Sequence, residues 1–107
     1  MIAEKWIRLC DASECPPHSR RFVALERHEL AVFHLGDPDR FVVIDNACPH
    51  AGGNLSAGEV IGSAVVCPWH EWVFSLDTGA CTESEQVCVR KYECRVEGGA
   101  LYARLED

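Results

Sequence analysis

Two short stretches of the sequence each place a histidine close to a cysteine: CPH at residues 48–50 and CPWH at residues 67–70. One residue separates Cys48 from His50, two separate Cys67 from His70, and sixteen lie between the two pairs. Thiolate sulfur and imidazole nitrogen are both good ligands for zinc and for iron. Chance rarely produces two such pairs in a chain with five histidines, so these residues predict a metal centre shared by two loops.

The segments that precede these clusters have the pattern of β-strands. Residues 30–35 and 41–44 are apolar runs on either side of GDPD at residues 36–39, a strong turn signal. Together they predict a hairpin over residues 30–44. Nowhere along the chain do apolar residues recur at helical spacing over three turns. The sequence therefore predicts an all-β fold.

A second hairpin is predicted at the carboxyl end. Apolar and charged residues alternate from 91 to 97, the pattern of a half-buried strand. Gly98-Gly99 then supplies two residues that tolerate positive φ, and the alternation resumes from 101 to 105. The apolar positions of the first strand are Tyr92, Cys94 and Val96.

The two cysteine–histidine clusters lie between predicted strands. Residues 46–56 are rich in proline, glycine and asparagine, which is typical of a loop. Residues 64–66 form a short apolar run that leads into Cys67, and residues 72–74 form another that leaves the second cluster. Loops at the ends of neighbouring strands can meet at one tip of a sheet, as a shared metal requires.

Length and charge bound the class of protein. A chain of 107 residues fits one domain, predicted here as residues 1–107 with a cluster-binding subdomain at about 46–76. The net charge of -7 argues against nucleic acid or anionic membrane lipid as a partner, since both need clustered Lys and Arg. The first residues lack the pattern of a secretory signal, so we expect a cytoplasmic protein.

Five further cysteines have no histidine companion. An odd total of seven argues against a secreted disulfide framework, and unpaired cysteine commonly behaves as a small buried apolar residue. We therefore expect a structural role for Cys10, Cys15, Cys81, Cys88 and Cys94.

Three interpretations of the two clusters compete. One is a structural zinc ion with two thiolates and two imidazoles, in a binding module without a redox role. Another is a two-iron, two-sulfide cluster in which the cysteines hold one iron and the histidines the other. The third is no metal at all. A one-residue gap between Cys48 and His50 is tight for ligands of a single zinc ion, so the spacing favours the cluster.

The motif, together with its surroundings, resembles the Rieske iron–sulfur family. NACPHAGG at residues 46–53 is similar to the family's first loop and CPWH at 67–70 to its second. Residues 72–79 resemble the strand and turn that follow, and residues 89–101 resemble the closing hairpin. The resemblance implies a Rieske-like antiparallel β-sandwich whose two cluster-binding loops lie at one tip. It also implies one [2Fe-2S] cluster per chain, with Cys48 and Cys67 on one iron and His50 and His70 on the other.

The chain departs from the respiratory and photosynthetic members of that family. Those proteins carry an extra disulfide, and the corresponding positions here are Gly53 and Trp69. They also place serine and tyrosine hydroxyls near the cluster where this chain has Trp72 and Phe74. Residues 82–86 lack the proline-containing loop that often covers the cluster in relatives, which leaves shielding by this segment open.

Two tryptophans, Trp69 and Trp72, flank His70. Both rings could shelter the cluster from water, or Trp69 could form part of an apolar docking rim around the histidines.

The resemblance implies a one-electron carrier rather than an enzyme, because no nucleophile–base set is apparent and all four ligand positions of the cluster are filled. The expected partners are an electron-donating reductase and an electron-accepting terminal enzyme or large reductase subunit, contacted through the tip that bears His50 and His70. Among short members without the disulfide, residues 72–79 and 90–99 resemble the small subunit of NADH-dependent nitrite reductase. The alternative is the ferredoxin of a ring-hydroxylating dioxygenase or monooxygenase.

Overall fold

The computed structural model describes residues 5–25, 27–36, 40–48, 53–69, 71–84 and 86–105. Ten strands run through this part of the chain: β1 (Lys5–Asp11), β2 (Arg20–Ala24), β3 (Glu29–Gly36), β4 (Arg40–Asp45), β5 (Glu59–Ile61), β6 (Ala64–Val66), β7 (Val73–Ser75), β8 (Lys91–Tyr92), β9 (Cys94–Glu97) and β10 (Ala100–Leu105). The only helices in those ranges are the 3₁₀ turns Ala12–Glu14 and Leu55–Ala57. The all-β prediction is confirmed.

The strands form three antiparallel sheets. β2, β3, β4 and β8 make a central four-stranded sheet in the order β2-β3-β4-β8. β1, β10 and β9 make a second sheet, and β5, β6 and β7 make a third. The predicted hairpin over residues 30–44 is the β3–β4 pair, although residues 37–39 of its turn lie outside the described part.

The central sheet is buried on both faces because β3 and β4 pack against a different sheet on each side. Phe33 and Ile44 belong to a core shared with Val65 and Phe74 of the third sheet. The intervening residues of β3 and β4 belong to a second core, which they share with β1 and β10. Their members from the central strands are Leu30, Val32 and Val43. This two-sided burial explains why the segments read as continuous apolar runs instead of alternating ones.

The carboxyl-terminal hairpin turns where the sequence predicts, but its first strand is split. Gly98 and Gly99 both have positive φ, 57° and 79°, as a two-glycine turn requires. Within residues 91–97, however, β8 pairs with β4 and β9 pairs with β10, so the chain changes sheet at Glu93. The apolar positions predicted for this strand are therefore not all buried. Tyr92 is buried, whereas Val96 is 43% exposed.

Tyr92 fixes the short strand β8 against β4. Its hydroxyl donates a hydrogen bond of 2.6 Å to Oδ1 of Asp45, the last residue of β4. Burial and this carboxylate both raise the pKa of Tyr92 above its usual value, so the hydroxyl stays protonated and can donate at neutral pH. The bond holds the point from which the chain enters the first cysteine–histidine loop.

The third sheet covers the face of the central sheet that lies opposite β1 and β10. β5, β6 and β7 lie within residues 59–75, and the two loops bearing Cys48 and Cys67 adjoin them. The predicted subdomain boundary of about 46–76 encloses both loops and this sheet, and we keep it as a proposal. None of the helices in the described ranges is long and apolar enough to cross a membrane.

Candidate metal centre

The first loop is closed at its base by the buried side chain of Asn46. Its amide nitrogen donates to Oδ1 of Asn54 at 2.9 Å, and its Oδ1 accepts from the Ser56 backbone N–H at 2.9 Å. The Leu55 N–H donates to the Asn46 carbonyl oxygen at 2.8 Å. A buried amide with these partners is costly to remove, because deletion strands the groups that it satisfies. Asn46 therefore sets the width of the loop.

Cys48 lies inside this closed loop. Its backbone N–H donates to the carbonyl oxygen of Gly53 at 2.9 Å, and Ala47 forms an antiparallel bridge with Asn54. The Cys48 side chain is 2% exposed. The sequence predicts a loop here. In the structure its two ends, at residues 47–48 and 53–54, are joined by backbone pairing.

The second loop is the connection between β6 and β7. These strands pair from Ala64 opposite Ser75 to Val66 opposite Val73, and the Cys67 N–H donates to the Trp72 carbonyl oxygen at 2.7 Å. Cys67 is fully buried at the start of this loop. The β6–β7 hairpin thus fixes the direction in which the sulfur of Cys67 projects.

The structure brings the two predicted cysteines together. Both side chains belong to the same buried core, and Gly53, which accepts the Cys48 N–H bond, lies directly against the Cys67 sulfur. Burial raises the pKa of the Cys67 thiol, with a further contribution from the nearby Cys48 thiol, whereas a backbone hydrogen bond from Trp69 lowers it. Two buried sulfurs at one point form a pair of thiolate donors for a metal, which would displace their protons.

The other two predicted ligands, His50 and His70, lie outside the residues that the structure describes. Within the described ranges no group of three or more His, Cys, Asp or Glu side chains is placed to hold a metal ion. The structure therefore places the Cys48 and Cys67 side chains in one buried core, and the assignment of all four ligands stays a prediction from the motif.

Gly53 makes room for the second loop. A Cβ atom at this position would lie 3.0 Å from Sγ of Cys67 and 3.1 Å from Cγ of Trp69. Both distances are tighter than ordinary contacts, so any side chain here would press on a sulfur donor. The absence of a side chain at residue 53 lets the two loops approach each other.

We predict that Gly53→Cys combined with Trp69→Cys forms a disulfide spontaneously in air. A Cβ on Gly53 would lie 3.2 Å from Cβ of Trp69, so a separation of the two loops by a few tenths of an ångström brings the pair into the range of about 3.5–4.5 Å found in disulfides. Thiol titration of the unfolded double variant should find two fewer free thiols than the seven of the unmodified chain plus the two introduced. Each single variant is the control, and nine titratable thiols in the double variant would contradict the predicted pairing.

The two tryptophans of the second loop have different environments. Trp72 is partly buried and packs against the core that contains Cys48 and Cys67. Trp69 is 55% exposed. The shelter interpretation therefore fits Trp72, whereas the docking-rim interpretation fits Trp69.

A carboxylate that sequence reasoning missed fastens the strand leaving the second loop. Oε2 of Glu83 accepts hydrogen bonds from the Val73 backbone N–H at 3.0 Å and from the Thr82 hydroxyl at 2.8 Å. The Val73 amide, followed by Thr82, lowers the pKa of Glu83. Glu83 lies in residues 82–86, the segment without the proline-containing loop of relatives. Its carboxylate fixes the first residue of β7, Val73, by a hydrogen bond. Only the strand pairing brings it there, so no local pattern identifies it.

The remaining cysteines match the structural prediction with one exception. Cys10, Cys15 and Cys81 are buried and Cys94 is partly buried, but Cys88 is exposed. Cys88 fails the prediction because it forms only an isolated bridge with Ala80 at the surface. None of the seven cysteines, all of them described, forms a disulfide.

Comparison with known proteins agrees with this geometry. The model of the Rieske [2Fe-2S] domain family matches residues 5–93. The chain belongs to the Rieske family. The buried sulfur pair of Cys48 and Cys67 fits the cysteine half of such a centre, and the [2Fe-2S] cluster is the cofactor of this family.

Individual relatives are of three kinds. Ferredoxin CarAc of Metapseudomonas resinovorans is 31% identical over 103 residues, 94% of each chain. A structure described as an NADH-dependent nitrite reductase small subunit from Mycobacterium tuberculosis has a TM-score of 0.83 and 25% identity, covering 96% of each chain. Cholesterol 7-desaturase of Xenopus laevis is 36% identical over 72% of this chain, but the match spans only 17% of that longer protein. The Rieske chain is thus a ferredoxin-type electron carrier, similar both to oxygenase ferredoxins and to nitrite reductase small subunits.

Proposed function

We propose that Cys48 and Cys67 bind one iron of the cluster and that His50 and His70 bind the other. The burial of both cysteine side chains in one core supports the cysteine half. The histidine half is supported by the motif spacing and by the family match over residues 5–93. A two-iron cluster accepts one electron at a time, and imidazole ligands raise its potential relative to an all-cysteine cluster. The family match favours this centre over the alternative of a zinc-stabilised binding module.

The chain then carries single electrons between a reductase and a terminal oxidoreductase and has no catalytic activity of its own. This rests chiefly on one observation: the chain is 31% identical to ferredoxin CarAc over 94% of that protein. With all four ligand positions filled by protein, the irons have no open site for a substrate. The chain's residues supply burial, loop geometry and an exposed contact surface.

Two terminal enzymes are candidates. A large subunit of nitrite reductase is favoured by the sequence resemblance in residues 72–79 and 90–99. An oxygenase is favoured by the match, with a TM-score of 0.82 and 31% identity, to a structure described as a complex of reduced oxygenase and oxidized ferredoxin in carbazole 1,9a-dioxygenase. Both roles need the same electron-carrying centre and differ only in the protein contacted.

The two roles are separated by supplying each partner in turn to the holoprotein. A nitrite reductase role predicts copurification with a large sirohaem subunit and nitrite-dependent reoxidation in its presence. An oxygenase role predicts reduction by a flavin-containing reductase followed by reoxidation only when an oxygenase and its substrate are present. A protein that neither kind of reductase reduces would contradict the carrier role itself.

We predict a reduction potential toward the low end of the roughly −150 to +300 mV range of Rieske centres. Hydroxyls that hydrogen-bond to cluster sulfur stabilise the reduced state, and this chain has Trp72 and Phe74 at the two positions where respiratory members have serine and tyrosine. Spectroelectrochemical titration of the holoprotein measures the midpoint directly. A value above about +100 mV would show that other groups supply the missing stabilisation.

The proposed location is the cytoplasm. Seven cysteines without a disulfide support a reducing compartment, because exposed thiols such as Cys88 oxidise readily in an oxidising one.

A further inference from the structure

Glu71 adopts a backbone conformation that normally favours glycine. Its φ is +58°, and among the described residues the only other non-glycine residue with positive φ is His18. In the left-handed region Cβ approaches the following carbonyl oxygen, so a long side chain is strained there whereas glycine is not. Strain retained at such a position points to a use for the side chain.

The carboxylate of Glu71 is exposed and unneutralised within the part of the chain that is described. Five other exposed acidic residues form ion pairs with arginine: Asp11, Glu14, Asp77, Glu93 and Glu97. No described residue forms an ion pair with Glu71. Because Glu71 directly follows the proposed iron ligand His70 in sequence, its negative charge is held at the second cluster loop.

Trp69 adds an apolar contact surface to the same loop. It is the residue before His70, its side chain is 55% exposed, and the neighbouring Pro68 is also exposed. Exposed tryptophan is enriched among the residues that dominate binding energy in protein interfaces. In sequence, the loop therefore has an exposed aromatic ring just before one proposed ligand and, just after it, an exposed carboxylate that forms no ion pair with a described residue.

We propose that Trp69 and Glu71 form a docking patch for a protein whose contact face carries lysine or arginine around its redox centre. This rests on the proposed carrier function. Trp69 supplies the short-range contact, and Glu71 orients a cationic partner toward the second loop. The net charge of -7 adds long-range attraction to the same kind of partner. One electron passes from the reduced centre to the acceptor, and no bond forms or breaks.

The test is stopped-flow oxidation of the reduced holoprotein by cytochrome c, a cationic one-electron acceptor, at several ionic strengths. Glu71→Gln should lower the second-order rate constant about threefold at low salt and flatten its salt dependence. Trp69→Ala should lower it about tenfold. Glu97→Gln is the control for net charge, because it removes the same formal charge in the hairpin that contacts Phe41 at the start of β4, away from the loops. It should lower the rate much less than Glu71→Gln does.

Small oxidants of opposite charge separate docking electrostatics from driving force. Glu71→Gln should slow oxidation by the trication tris(phenanthroline)cobalt(III) and accelerate oxidation by the trianion hexacyanoferrate(III). A change of reduction potential would shift both rates in the same direction. Glu71→Gly should reproduce these rates and raise the thermal midpoint by about 4 °C through relief of strain, whereas Glu71→Gln should leave it unchanged.

Equal cytochrome c rates and salt slopes for unmodified protein and Glu71→Gln would overturn the docking patch while leaving the carrier function intact. An unchanged rate for Trp69→Ala would do the same. Failure of the unmodified protein to be oxidised by any of the three acceptors would instead contradict the carrier function.

Discussion

Replacing His70 with alanine is expected to remove the visible absorption of the purified protein. The proposed centre has one imidazole pair on one iron, and loss of one ligand from that pair leaves the iron open to solvent, so the cluster should not survive purification. Cys67→Ser should have the same result, because it removes one of the two cysteine sulfurs of that buried core. Absorption spectra and iron content measured on equal amounts of protein check both variants.

His28→Ala is the control for this experiment. His28 packs edge-on against the ring of Tyr92, with 5.9 Å between ring centroids, and it lacks a cysteine companion. Its replacement should leave the spectrum and the iron content unchanged. A His70→Ala protein with an unaltered spectrum would show that His70 is not a ligand.

Gly79→Ala is expected to reduce the free energy of unfolding by about 3 kcal/mol or more, from left-handed strain and overpacking together. Gly79 has a φ of +83°, and a Cβ atom there would lie 2.3 Å from the carbonyl oxygen of Val89. That oxygen belongs to the backbone, so it cannot rotate away as a side chain would. Since small domains are stable by only about 5–15 kcal/mol, such a loss should be obvious in a denaturant titration.

Gly62→Ala isolates the contribution of that clash. Gly62 also has positive φ, 59°, but a Cβ atom there would meet nothing within 4 Å. It should cost only about 1–2 kcal/mol, the strain of the left-handed conformation. If both variants lowered the free energy of unfolding by the same amount, the clash between a Cβ at residue 79 and the Val89 carbonyl oxygen would not contribute to the destabilisation.

The fold was predictable where turn chemistry and apolar runs agree. Gly98-Gly99 marks its hairpin because few other residue pairs accept positive φ at both positions. The change of sheet at Glu93 was not predictable, since the alternating pattern continues through it without a glycine or proline. The strand is split because β4 pairs with residues 91–92 whereas β10 pairs with residues 94–97.

The sequence motif predicts the four candidate ligands, but it gives no sign of the residues that support the loops around them. Cys48 and Cys67 stand out because ligand types recur at fixed spacing, and the structure buries both side chains in one core. Asn46 and Glu83 carry no such signal, because their roles depend on backbone groups that the fold places next to them. A buried asparagine and a surface glutamate look ordinary in sequence.

Iron and sulfide analysis of the purified protein, together with its absorption and EPR spectra, is the decisive measurement for the proposed centre. We expect two irons and two acid-labile sulfides per chain, visible absorption that bleaches with dithionite, and an EPR signal that appears on reduction. One zinc ion per chain with no visible absorption would contradict it.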